Sequence, residues 1–325
     1  MRSKFLITLA VALAASSSLS VRAQEQQPAS PQDEEVRGAF VTTRPSAGKD
    51  VKKAEAAHAT TPAPNKPAAK TAGGAPNRHR TSGARVGGAQ VAGGTAGGAS
   101  GAAGDVQFGK TKFDPAGIGL GYTLFMRDDA GAAVRVSPRR EFHTGEAIRL
   151  LVESNTDGYL YIFDAENDAT PQLIFPNAKL NRGDNRIGAH VPYEIPSGKE
   201  EDESLRWFVF NDTPATERVY VVVSRTPLEG VPVGESLVKL CAESDQSCVW
   251  KPTPQQWAGL RTANAGDRVA VSQAKDDGRA QTATEKEAAV RGLGLSTDAP
   301  LPSVIYMIAS TNTNVLVTTV DLIHK

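Results

Sequence analysis

The sequence predicts an all-β fold: an antiparallel β-sandwich with a small helical insertion, preceded by a long disordered segment. Three observations predict it. Between Ser20 and Gly117 the chain has no Leu, Ile or Met. From Phe113 onward, short apolar runs alternate with turn residues, the pattern of a sandwich or barrel. Within that region, residues 229–302 lose the β texture and carry apolar residues at helical spacing. A stretch without bulky side chains cannot bury enough area to offset the entropy of ordering it. The chain is therefore expected to divide into a signal peptide at 1–23, a linker at 24–112 and a folded domain at 113–325.

Arg2 and Lys4 form a positive start, Phe5 to Ala15 an apolar run, and Val21-Arg22-Ala23 a small-x-small pattern before Gln24. This is the layout of a secretory signal peptide cleaved between Ala23 and Gln24. Eleven helical residues reach about 16 Å, roughly half of a ~30 Å hydrocarbon core, which argues against a membrane anchor. No Cys lies near the cleavage site, and no later stretch is apolar enough to span a bilayer. The expected product is exported, periplasmic or extracellular.

The whole chain balances 36 basic against 36 acidic residues. The balance is uneven along the chain: residues 24–112 hold 12 basic and 7 acidic residues, and residues 113–325 hold 21 and 29. An acidic folded part argues against nucleic acid, whose binders present basic faces.

The linker is Ala-, Pro- and Lys-rich up to Lys70, then Gly- and Ala-rich from Gly73 to Gly104. A coil of ~85 such residues has an end-to-end distance of about 50 Å. Arg78, His79, Arg80 and Arg85 form a small basic cluster that reads as a solvated part of it. Gly104 to Thr111 matches the phosphate-loop pattern GxxxxGK[ST]. That loop works only between a buried strand and a helix, and Ser100-Gly-Ala-Ala before it and Pro115 after it supply neither.

In the domain, Tyr122–Met126 and Ala133–Val136 flank a hairpin turn at Asp128–Gly131. Ile148, Leu150 and Val152 share one strand face. Tyr159–Phe163 is apolar on both faces and reads as a central strand. Leu173–Phe175 and Asn185–Ile187 read as short strands, Leu205–Phe210 and Arg218–Ser224 as long ones. The insertion holds expected helices at Glu235–Ala242 and after Pro254, then a polar, exposed excursion from Ala265 to Ala299 with a short helix near Thr284–Arg291. Ser303–Ser310 and Val315–His324 read as a closing hairpin around Asn312–Asn314. Cys241 and Cys248 are the only cysteines, and an exported chain is expected to join them.

Five short motifs stand in order: Phe142-x-Thr-Gly-Glu146, Gly158-Tyr-Leu-Tyr-Ile-Phe163, Leu173-Ile-Phe-Pro-Asn177, Asn185-Arg-Ile187 with Ile195-Pro196, and Tyr220-Val-Val-Val-Ser224. This order resembles the bacterial domain-of-unknown-function family four-three-eight-four, over about Gly117 to Leu228 with Val315–His324 as the last strand. The resemblance implies a β-sandwich accessory domain of envelope and signalling proteins. Members often follow protein-kinase or caspase-like peptidase domains, and the family brings no established catalytic residues.

Ser236-Leu-Val-Lys239 matches SxxK, but the companion boxes of penicillin-binding enzymes are missing, so Ser236 reads as a helix-start residue. Asp164, Glu166 and Asp168 alternate, yet Ala169 and Phe175 stand where a calcium loop needs Gly and Glu, so they read as a solvated hairpin tip. Glu200–Glu203 reads as an exposed loop. His143, His190 and His324 lie on distant segments and meet only if the fold joins them. No catalytic residue, cofactor or metal ligand is assigned. Tyr159, Tyr161, Trp207 and Tyr220 are the candidate binding surface, because aromatic faces suit glycans and peptides; packing in the core or on the sheet is the competing reading. The expected function is a non-enzymatic binding or scaffolding module of the bacterial envelope, offering its sandwich or a sheet edge to a protein or cell-wall partner. The alternatives are an envelope hydrolase with a site assembled from scattered residues, and a periplasmic sensory or solute-binding domain.

Overall fold

The computed structural model describes residues 30–46 and 113–325, apart from 168, 180, 202 and 244–247. The expected signal peptide, its Ala23–Gln24 cleavage point, the basic cluster and the Gly104–Thr111 motif all lie outside the described residues. One helix, α1 (Pro31–Val41), precedes the strands β1 (Gly119–Arg127), β2 (Ala133–Arg135), β3 (Glu141–Phe142), β4 (Ala147–Ser154) and β5 (Gly158–Glu166). There follow β6 (Gln172–Phe175), β7 (Arg186–Ile187), β8 (Tyr193–Ile195), β9 (Phe208–Val209) and β10 (Ala215–Ser224). The rest comprises α2 (Gly234–Ala242), α3 (Pro254–Arg261), β11 (Val269–Gln273), α4 (Ala283–Arg291), β12 (Val304–Ile308) and β13 (Val315–His324).

Two sheets result. The first runs β11-β12-β1-β4-β8, with β2 paired to β1 and β9 to β4; the second runs β3-β13-β10-β5-β6, with β7 paired to β5. All pairings are antiparallel except the short β13–β3 pair. The period-2 alternation of the strands puts Ile148, Leu150 and Val152 of β4 against Leu160 and Ile162 of β5 and Val219, Val221 and Val223 of β10 in one core. β5 is apolar on both faces because both are covered. Tyr161 and Phe163 on its outer face meet Val222, Val231 and the partly buried Trp250 and Trp257. The predicted all-β sandwich, its β1–β2 hairpin and its central strand are thus present, and Cys241 and Cys248 are joined by a disulfide.

Four expectations need correction. The linker assigned to 24–112 contains a folded part. Ser30 caps α1 by accepting from Asp33 N, Pro31 fits the first turn, and Val36, Ala39 and Phe40 pack against Phe113, Ala270, Ile305 and Met307. Gly119 and Gly121 of β1 make room for the ring: Cβ atoms there would stand 2.9 Å from Phe40 Cδ2 and 3.2 Å from Phe40 Cζ. One Phe on a capped helix suffices where the opposing sheet supplies the remaining apolar surface.

The insertion at 229–302 is not purely helical. β11 pairs with β12 at the sheet edge, and residues 278–281 bond to β2, with Arg135 N donating to Arg279 O at 2.8 Å. Buried Arg135 donates to Glu285 Oε1 of α4 at 2.5 Å and also pairs with Asp276, which ties down the expected exposed excursion. Leu205–Phe210 shrinks to the two residues of β9. Trp207 leaves the sheet to stack on Arg149, whose Cζ lies 4.3 Å from the ring centroid. The closing pair is an arch, not a hairpin: β12 lies in the first sheet and β13 in the second. Six residues between them are ample for the ~10 Å step from one sheet to the other.

Candidate functional site

The candidate site lies between the sheets, at the end where β5, β10 and β13 finish their core-facing rows. Each row is apolar along most of its length and then turns ionisable. On β5, Leu160 and Ile162 are followed by Asp164; on β10, Val223, Val221 and Val219 lead to Glu217; on β13, Val320 and Leu322 lead to His324. Register makes these ends neighbours: Val219 faces Asp164, Glu217 faces Glu166 on one side and Leu322 on the other, and Ala215 faces His324.

The opposite wall comes from the first sheet: Ile148 and Leu150 of β4, Phe208 and Val209 of β9, then Phe210 and Asn211. The 208–211 segment is fixed by Phe210 N donating to Glu146 O at 3.0 Å and Gly145 N donating to Phe210 O at 2.9 Å. Phe210 in turn packs on Phe142 and on the His324 ring, with centroids 4.9 Å and 5.1 Å away. The walls line a half-open cavity of about 210 Å³. A dry engineered cavity of about 150 Å³ holds benzene, so the space admits a side-chain-sized group.

Two residues lining this cavity, Glu217 and His324, each hold a buried polar atom without a hydrogen-bond partner: Glu217 Oε2 and His324 Nε2. His324 is 3 % exposed. Burial pushes the Glu217 carboxyl up to about 7, and the charges of Asp164 and Glu166 push it the same way. Asp164 is raised as well, mainly by burial. No Lys or Arg is among the residues lining the cavity. Val209, at its edge, is 59 % exposed, an apolar side chain left facing solvent.

A second buried polar group clamps residues 43–46 to the sandwich. Arg44 donates to both oxygens of Glu153 and to the carbonyls of Ser296, Ala299 and Pro300. His190 Nδ1 lies 2.7 Å from Glu153 Oε1, and His190 Nε2 lies 2.7 Å from Thr43 Oγ1. His190 is 1 % exposed, adopts φ 58° and meets Phe40 edge-on.

The candidate aromatic surface does not assemble. Tyr161 is fully buried and accepts a hydrogen bond from Leu228 N at 2.9 Å. Tyr159 and Tyr220 pack under the segment that carries Trp250 and Trp257, while Trp207 sits on the other sheet against Arg149. Tyr220 alone reaches a polar surface hollow, which it lines with Trp257, Arg261 and the Arg218–Asp321 ion pair. The three histidines stay apart: His143 is exposed, His190 joins the clamp and His324 the cavity. Among the described residues no three His, Cys, Asp or Glu side chains form a metal-holding group. Ser236 accepts from Val233 N at 3.0 Å and so starts α2. Asp164 departs from a solvated hairpin tip, since it faces the cavity. Glu217 carried no signal in its local sequence; the signal was the valine row that it terminates.

Fold and site together define a two-sheet sandwich with a pocket between its layers. Residues 141–227 match the family model described as Domain of unknown function (DUF4384), the family that the ordered motifs resemble. The match spans β3 to β10 and so includes Asp164 and Glu217 but not His324. No curated protein and no solved structure matches the chain. No helix among the described residues is long and apolar enough to cross a membrane.

Proposed function

We propose that this chain is a non-enzymatic binding module of the bacterial envelope, which receives a group from a protein or cell-wall partner in the pocket between its sheets. The observation that carries this reading is the pairing of unpartnered Glu217 Oε2 and His324 Nε2 in an apolar cavity. A buried polar atom without a partner costs about 1–3 kcal/mol, and a bound group would relieve two at once. Exposed Val209 at the cavity edge supports a partner that covers it. Export is supported by the leader pattern of residues 1–23 and by the disulfide. The test is cross-linking in envelope extract with the wild type and with Ile174→Trp, which fills the cavity. Partners recovered by the wild type and lost with Ile174→Trp support the reading; equal recovery by both excludes the pocket.

The hydrolase alternative has one arrangement in its favour, the hydroxyl–imidazole–carboxylate order of Thr43, His190 and Glu153. Arg44 occupies both Glu153 oxygens, which suits a clamp better than a base-orienting carboxylate. Ester turnover that disappears in Thr43→Ala would establish it.

A further inference from the structure

The cavity's chemistry is one-sided. Three carboxylates share the inner face at this end of the second sheet: Asp164, Glu166 and Glu217. Asp164 and Glu217 line the cavity itself, opposite walls of Ile148, Leu150, Phe208 and Phe210. His324, buried and with Nε2 unpartnered, offers an imidazole nitrogen that accepts when the proton sits on Nδ1. No Lys or Arg among the residues lining the cavity answers the carboxylates. A carboxylate ligand would add like charge to this set; a neutral ligand would leave its repulsion in place.

Resting on the pocket reading above, we propose that the cavity binds an alkylammonium group, the end of a lysine side chain, with its methylenes along the apolar wall and its nitrogen between Glu217 and His324. An ammonium brings three donors, enough for the Glu217 carboxylate, His324 Nε2 and Asp164. Its charge also offsets what raises Glu217, first burial and then the charges of Asp164 and Glu166. Four methylenes and a nitrogen are fewer heavy atoms than benzene, and so fit a cavity of about 210 Å³.

The full chain is titrated with n-butylammonium, n-butanol, butyrate and Nα-acetyl-lysine methylamide, following the His324 ring protons and the Ile148, Leu150 and Leu322 methyls by NMR. Butylammonium and the lysine derivative are expected to shift these signals saturably, at concentrations at least tenfold below butanol, with no response to butyrate. Glu217→Gln is expected to weaken butylammonium at least tenfold, and Asp164→Asn severalfold. Both variants keep side-chain shape, and an unchanged or raised melting temperature shows that loss of binding is not loss of fold. Butanol binding as tightly as butylammonium, or butyrate binding at all, overturns the cation while leaving the pocket as a binding site. Absence of any response from the four probes overturns the cation assignment; the Ile174→Trp cross-linking result then decides the pocket separately. A stronger response from the lysine derivative than from butylammonium assigns the source to a polypeptide.

Discussion

Arg44 and Glu153 form a two-point ion pair inside the protein, with Nε to Oε1 at 2.9 Å and Nη2 to Oε2 at 2.7 Å. The two residues are 109 positions apart, and neither side chain is more than 3 % exposed. The pair fastens the segment after α1 to β4. Removing one partner leaves the other charge buried and uncompensated, at a cost of about 3–5 kcal/mol. Arg44→Ala and Glu153→Ala should each lower the unfolding free energy by that much, while a double change to Met and Leu should cost less than either alone. Urea unfolding of the three variants checks this.

Phe40 packs fully buried against β1 and its neighbours. Phe40→Ala should cost about 3 kcal/mol or more. A residue in an unstructured linker would cost nothing. The same unfolding measurement separates the two, and hydrogen exchange should show the amides of α1 protected in the wild type and exposed in the variant.

Glu217 gives the stability a pH slope. Its carboxyl is raised in the folded state from an ordinary 4.5 to about 7. Between those values the folded state holds a proton that the unfolded chain has released, so stability falls as pH rises. The contribution is full below about pH 4.5 and is lost through about pH 7. Glu217→Gln should flatten the slope between pH 5 and 8 and stabilise the protein at pH 8 by on the order of 1 kcal/mol, allowing for partial solvent screening. Thermal melting of both proteins across that range checks the sign.

The Cys241–Cys248 bridge spans seven positions. Closing so short a loop is worth about 2.5 kcal/mol by chain entropy. Replacing both cysteines by Ala should lower stability by up to that amount and leave the sandwich intact, because both lie outside the two sheets. Unfolding monitored by tryptophan fluorescence, with and without reductant, measures it.

Much of the fold was legible because sheet faces follow a period of two. The valine row of β10 and the double-faced apolarity of Tyr159–Phe163 gave the central strands directly. α1 was not legible, because its burial depends on a partner surface: it buries only Val36, Ala39 and Phe40, and β11, β12 and Phe113 supply the rest. β11 was hidden for a similar reason. Val269–Gln273 is a five-residue edge strand within a polar stretch, and its ladder to β12 is specified by backbone groups. Trp207 read as sheet because of its neighbours Phe208 and Val209, yet Arg149 draws it away. The site was the least legible part. Asp164, Glu217 and His324 lie at three strand ends far apart in sequence, and only the register brings them together.

The inner rows of the second sheet end in a half-buried acid, Glu217, whose inner oxygen Oε2 has no partner. Carboxyl-carbon NMR of Glu217 in the full chain, followed across pH, tests it most directly. A midpoint near 7 is the predicted result. A midpoint at the ordinary glutamate value of 4.5 would place the carboxyl in water and contradict it.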